Sequence, residues 1–117
     1  MNLFKIIVRT SVLSGLFFFL SFHIAQAQSG EQIFKQNCAS CHALDKNLSG
    51  PALRGVEGRG PWGDRKNFYA WVKNPAAFIP TTPYTQDLQK TYGSIMPGFP
   101  ELQKEDVDAI VDYISAY

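Results

Sequence analysis

The stretch CASCH, residues 38–42, holds the only two cysteines of the chain, Cys38 and Cys41, followed at once by His42. Four chemistries use such a cluster. A thiol–disulfide pair of the thioredoxin type belongs beside a βαβ pattern, and no strand pattern is visible here. A structural zinc site needs four ligands, whereas Cys38, Cys41 and His42 supply three, and adjacent Cys41 and His42 fit one tetrahedral ion badly. The spacing could be accidental. The fourth reading, C-x-x-C-H, is the attachment signal for a c-type haem. Two thiols about one helical turn apart can each form a thioether along one porphyrin edge, and the next residue, His42, then reaches the iron.

The N-terminus reads as an export signal. Lys5 and Arg9 precede an apolar run over 12–22, and Ala25-Gln26-Ala27 gives a small-x-small cleavage pattern. The run is shorter than the roughly 20 apolar residues a membrane span requires. Cleavage after Ala27 is expected, leaving one domain over 28–117 with no stable membrane insertion. The leader takes Met1 and His23 with it, so His42 becomes the sole histidine and Met96 the sole methionine of the remaining chain. Loss of Lys5 and Arg9 lowers the formal net charge from +1 to −1. No basic stripe points to nucleic acid.

Periodicity predicts helices only. Ser29 and Gln32 form a capping-box pattern that opens a first helix carrying Ile33 and Phe34. Asp64 caps a second, with Phe68, Trp71 and Val72 as its apolar stripe and Pro75 at its end. The stretch AAFIPTTPY is expected to be extended. A short helix over TQDLQKTYG closes at Gly93. The last helix has Val107, Ile110, Val111 and Ile114 at i, i+3, i+4 and i+7, with Glu105, Asp106 and Asp108 at its positive end. Glycines and prolines break the intervening segments into long loops. The fold class is therefore all-α, three to five short helices with long loops, and so small a domain needs a central group to organise it.

A haem whose fifth ligand is His42 needs a sixth. Met96, in the irregular segment SIMPGFP, is the candidate, since Met/His is a ligand set of cytochromes c. The competing reading makes it core filler.

With these residues in view, the chain resembles a class I, monohaem c-type cytochrome. The likeness rests on CASCH, GPALRGV, NFYAWVKNP and MPGFPELQKEDVDAIVDYI. It implies a small cytochrome c fold wrapped around one haem c, bound covalently through Cys38 and Cys41 and ligated by His42 and Met96. It implies that Gly30 and Phe34 cross Ile110 and Tyr113, and that the Pro51 carbonyl accepts a hydrogen bond from His42. Trp71 is expected against the haem or near Met96, and Tyr69 or Trp62 at a propionate. Met96 stands 21 positions after Pro75, a longer gap than in many such proteins. The extra segment, 78–93, is expected to add a helix on the methionine side that covers the haem edge or forms a partner surface.

The implied function is one-electron transfer between redox proteins, not enzymatic turnover, in the periplasm. Two ionised propionates would bring the charge to about −3, which favours a partly apolar contact patch. Lys46, Lys66 and Lys73 read as solvated cations, with docking as the sharper alternative. Three alternatives stay open. The chain could be the haem subunit of a larger dehydrogenase or oxidase complex. It could be a ligand-binding haem protein with a labile Met96. It could be a thiol oxidoreductase with free cysteines.

Overall fold

The computed structural model describes residues 28–117; the expected signal peptide, 1–27, lies outside the described residues. Among the described residues five α-helices follow one another: α1 (Gly30–Asn37), α2 (Arg65–Lys73), α3 (Pro75–Phe78), α4 (Pro83–Tyr92) and α5 (Lys104–Ser115). Two 3-10 turns, Val56–Gly58 and Ile79–Thr81, complete the regular structure. There is no strand among the described residues.

Local chemistry explains each start. At α1 the Ser29 hydroxyl accepts the Gln32 N–H at 3.3 Å, and the Gln32 side chain accepts the Ser29 N–H at 3.1 Å, so two donors with no partner inside the helix are satisfied reciprocally. Asp64 accepts the Lys66 N–H at 2.9 Å to open α2. At α5 the Gln103 N–H donates to the Asp106 carboxylate at 2.8 Å.

The segment expected to be extended is helical instead. Asn74 accepts the Ala77 N–H at 3.2 Å, and Pro75 follows as the first residue of α3. Pro80 stands in the first turn of the 3-10 segment, and Pro83 opens α4 behind the Thr82 cap. All three prolines occupy positions where a helix has no use for the missing N–H and where their fixed φ already suits it. They start turns rather than prevent them. Gly93 ends α4 with φ +66°, a left-handed cap.

The core forms where α1 crosses α5, with Ile33, Phe34, Val107, Ile110, Val111 and Ile114 all buried. Gly30 makes the crossing possible: a Cβ there would lie 1.9 Å from the Ala109 carbonyl oxygen. The Phe34 and Tyr113 rings meet beside it, 5.4 Å apart at 50°. Arg65 ties α2 to α5 and to the Val56–Gly58 turn, reaching Asp112 at 2.7 Å, Glu57 at 3.2 Å and Asp108 at 3.8 Å.

Gly30→Ala is expected to destabilise the protein by at least about 2 kcal/mol, because the backbones must separate to admit the methyl group; the denaturant midpoint measures it. Lys104, bonded to Asp108 at 2.5 Å, and then Arg65 hold the Asp108 carboxyl below its ordinary value. A depressed carboxyl contributes stability above its unfolded-state pKa and loses it as pH falls through the folded one. Asp108→Asn is therefore expected to flatten the acid-side decline of the melting temperature below about pH 4.

Candidate functional site

Cys38 caps α1, its N–H bonded to the Phe34 carbonyl. The chain then tightens, with the N–H groups of Cys41 and His42 both donating to the Cys38 carbonyl at 3.1 and 2.9 Å. This turn places Cys38, Cys41 and His42 on the lining of one cavity of about 1190 Å³, counting its open mouth. Burial, and next the neighbouring Cys41, push the Cys38 thiol up to about 11. Hydroxyls of Ser49 and Ser40 hold the Cys41 thiol below its ordinary value.

The His42 ring is fixed from two directions. Its Nδ1–H donates to the Pro51 carbonyl at 2.8 Å, which leaves Nε2 as the free lone pair. Gly50 lies against the ring as well: a Cβ there would stand 2.4 Å from Cε1. The loop holding both is closed by backbone bonds from Gly50 to Cys41, Leu53 to Ala43 and Arg54 to Leu44, each 2.9–3.0 Å.

Met96 lines the same cavity, and Trp71 donates its Nε1–H to the Met96 sulfur at 3.2 Å. Trp71 thus both stands near Met96 and lines the cavity. Trp62, 3% exposed, also lines the cavity and packs against Trp71, Phe68, Phe78 and Tyr84, ring centroids 5.3–6.0 Å away. Tyr69 does not. It is absent from the lining and lies under the Lys73 ammonium, 5.6 Å from its ring centre, because its place on α2 turns it away from Trp71. Tyr84, Leu88, Gln89 and Tyr92 of α4 form a further wall, so the added segment covers the cavity. Lys46 and Lys66 are exposed as expected, whereas Lys73 is half-buried and bonded to backbone.

Arg59 was not among the expected site residues. It lines the cavity, and its terminal nitrogen donates to the carbonyls of Ala52 at 2.7 Å and Arg54 at 3.3 Å. Its Nε is buried without a partner. An unsatisfied buried guanidinium N–H calls for an acceptor, and no carboxylate side chain lines the cavity. An anionic group carried into the cavity would meet that need, as a haem propionate does. The one available signal was a lone cation between two glycines in EGRG.

Two thiols, a tethered imidazole, a thioether and a guanidinium around a largely apolar cavity fit a haem c. A helical domain with C-x-x-C-H at the cavity lip belongs to the c-type haem-binding class. A sequence profile described as Cytochrome c matches residues 27–116, and the chain belongs to the cytochrome c family. Among solved structures it is similar to the cytochrome c from Rhodothermus marinus, at 35% identity and a TM-score of 0.61, covering 73% of this chain and 70% of that one. A cytochrome c domain from Pseudomonas putida is 30% identical with a TM-score of 0.59, covering 74% and 84%. The cytochrome c oxidase subunit 2 of Alkalihalophilus pseudofirmus is 29% identical over 96 residues, 75% of this chain and 25% of that protein. The cytochrome c2 of Rhodopseudomonas palustris is 61% identical over 33 residues, 28% of this chain and 23% of that one. The chain thus spans about a quarter of the length of these last two.

Gly50→Ala is expected to lower the fraction of haem-loaded protein, read as haem absorbance per mole of chain, because the added methyl displaces the His42 ring from the Pro51 carbonyl.

Proposed function

We propose that this chain is an exported monohaem carrier of single electrons between redox proteins. In this reading the haem is bound covalently through Cys38 and Cys41, with His42 and Met96 as axial ligands. The observation that carries it is the pairing, on one cavity lining, of an imidazole held by Pro51 with a thioether held by Trp71. Haem iron with both axial positions filled supplies a one-electron change and offers no place for substrate.

The protein's part is to keep that change cheap in rearrangement. Pro51 fixes the orientation of the His42 ring and raises its basicity. Trp71 orients the Met96 sulfur and draws electron density from it, which weakens its donation to oxidised iron more than to reduced iron. Arg59 supplies positive charge against a propionate. The aromatic cluster around Trp62 excludes water, and a drier site favours the reduced, less charged state.

The leader pattern over residues 1–27 supports export by a cleaved signal peptide and, in this reading, a periplasmic carrier. The match to an oxidase subunit 2 supports a second reading, a haem domain within an oxidase complex. Migration of the native protein alone or with a large assembly separates the two. For a carrier, the exposed apolar side chains of Leu48 and Ile95, with Arg59 as the sole charged group of the lining, favour a brief and mainly apolar docking contact.

Mass spectrometry of the native protein is expected to show one added haem and no residues before Gln28. Met96→Ala is expected to lower the reduction potential by on the order of 0.1 V. An unchanged potential would remove Met96 from the iron, and ready carbon monoxide binding by the reduced wild type would favour a ligand-binding protein instead.

A further inference from the structure

We propose that Lys73 is a positioning residue for the axial thioether, acting as the clasp that holds the Met96 loop to the end of α2. This rests on the reading of Met96 as an iron ligand.

Three consecutive residues of α2 hold the loop. Trp71 donates to the Met96 sulfur at 3.2 Å. The Val72 carbonyl accepts the Phe99 N–H at 2.9 Å. The Lys73 ammonium donates to the Pro100 carbonyl and, at 3.2 Å, to the Leu102 carbonyl. Between them Gly98 lies so close that a Cβ would stand 2.7 Å from the Lys73 carbonyl oxygen, so the loop is laid directly on the helix end.

Lys73 is suited to this place for a physical reason. The last carbonyls of a helix carry partial negative charge and lack partners inside it, so a cation in the last turn is favoured. An ammonium has three donors. Two are committed to loop carbonyls, and the charge lies 5.6 Å from the centre of the Tyr69 ring, a favourable cation–π distance. A cation so committed is poorly placed to meet a partner. Its bonds fasten the segment just after Met96, and the segment just before Met96 is the left-handed end of α4 at Gly93. Loss of the clasp frees the loop on its outgoing side. The sulfur then leaves the iron more readily, and a competing neutral ligand binds more tightly.

The test uses the haem-loaded protein, with imidazole as the competing ligand. Wild type, Lys73→Met, Lys73→Arg and Ile33→Val are titrated in the oxidised state while the sulfur-to-iron charge-transfer absorption is followed. Lys73→Met keeps the apolar stem and removes the donors, and its half-saturating imidazole concentration is expected to fall about tenfold. Lys73→Arg restores donors and charge, and is expected to lie within about twofold of wild type. Ile33→Val, in the α1–α5 core, is expected to lower the melting temperature without changing the titration.

A Lys73→Met titration that overlays wild type overturns the clasp. So does an equal tightening in Ile33→Val at matched loss of stability, since that is general loosening. Absence of the charge-transfer band from wild type is a different failure, that of Met96 as ligand. Amide exchange at Phe99 then decides the clasp by itself: acceleration by Lys73→Met supports it, and an unchanged rate overturns it.

Discussion

The imidazole of His42, gripped between the Pro51 carbonyl and the glycine at position 50, is the constraint on which the site depends. The residues from the end of α1 to the start of α2 contain a single 3-10 turn and no longer helix, so they have little regular structure to hold them. They are ordered because the turn from Cys38 to His42 fixes one end, backbone bonds from 50, 53 and 54 return to 41, 43 and 44, and the ring itself is bonded to the returning strand of loop. Gly50 is needed since no side chain fits against the ring. The same loop continues through the Val56–Gly58 turn to Arg59. Glu57, bonded to Arg65 and to Ser115, pins that turn to α2 and α5. The imidazole, its hydrogen-bond acceptor and the guanidinium at the cavity are thus one connected unit.

α2 carries the complementary half. Its buried side, Phe68 and Val72, joins the core, while Trp71 faces the cavity and meets the Met96 sulfur. Both roles fall on one stripe, since Phe68, Trp71 and Val72 stand at i, i+3 and i+4, and all three line the cavity. Tyr69, two positions before Trp71 on the helix, points away from it and does not line the cavity.

Much of this was legible in the sequence, and the reasons differ by element. α1, α2 and α5 announce themselves through caps and apolar spacing, both local features that tertiary contacts had no cause to override. The close approach at Gly30 and the His42–Pro51 bond came from family resemblance, since nothing local to Gly30 or Pro51 reveals what crosses them. The segment from Pro75 to Pro83 was misread because proline was taken as a breaker, when the caps Asn74 and Thr82 stand directly before two of those prolines and turn them into helix starts. Arg59 goes unmarked in the sequence and Lys73 reads there as a solvated cation, for a shared reason. A charged side chain among glycines, or at the end of an exposed-looking helix, reads as solvated until the fold shows which backbone carbonyls it reaches.

The two axial candidates are held by unequal means, and this bears on how the domain works. His42 sits five residues after the end of α1, within a hydrogen-bonded turn, and its ring is bonded to the loop that the same turn supports. Met96 sits in a segment without regular structure, between the left-handed end of α4 and the start of α5. Its hydrogen bonds to other elements run to α2: one to its sulfur, one from the Phe99 amide, two from a single ammonium. A ligand held by its own segment remains in place when distant parts of the fold loosen, whereas one held by tethers from elsewhere fails when the tethers do. The methionine side thus has fewer hydrogen bonds of its own than the turn that carries His42. The long connection between α2 and Met96 adds to this, because α4 covers the cavity yet leads straight into the methionine loop. Coverage and the methionine loop are joined in one segment, so with the proposed ligand set the tightness of the α2 contacts, and not the sulfur's affinity alone, would set how firmly a sixth position stays closed.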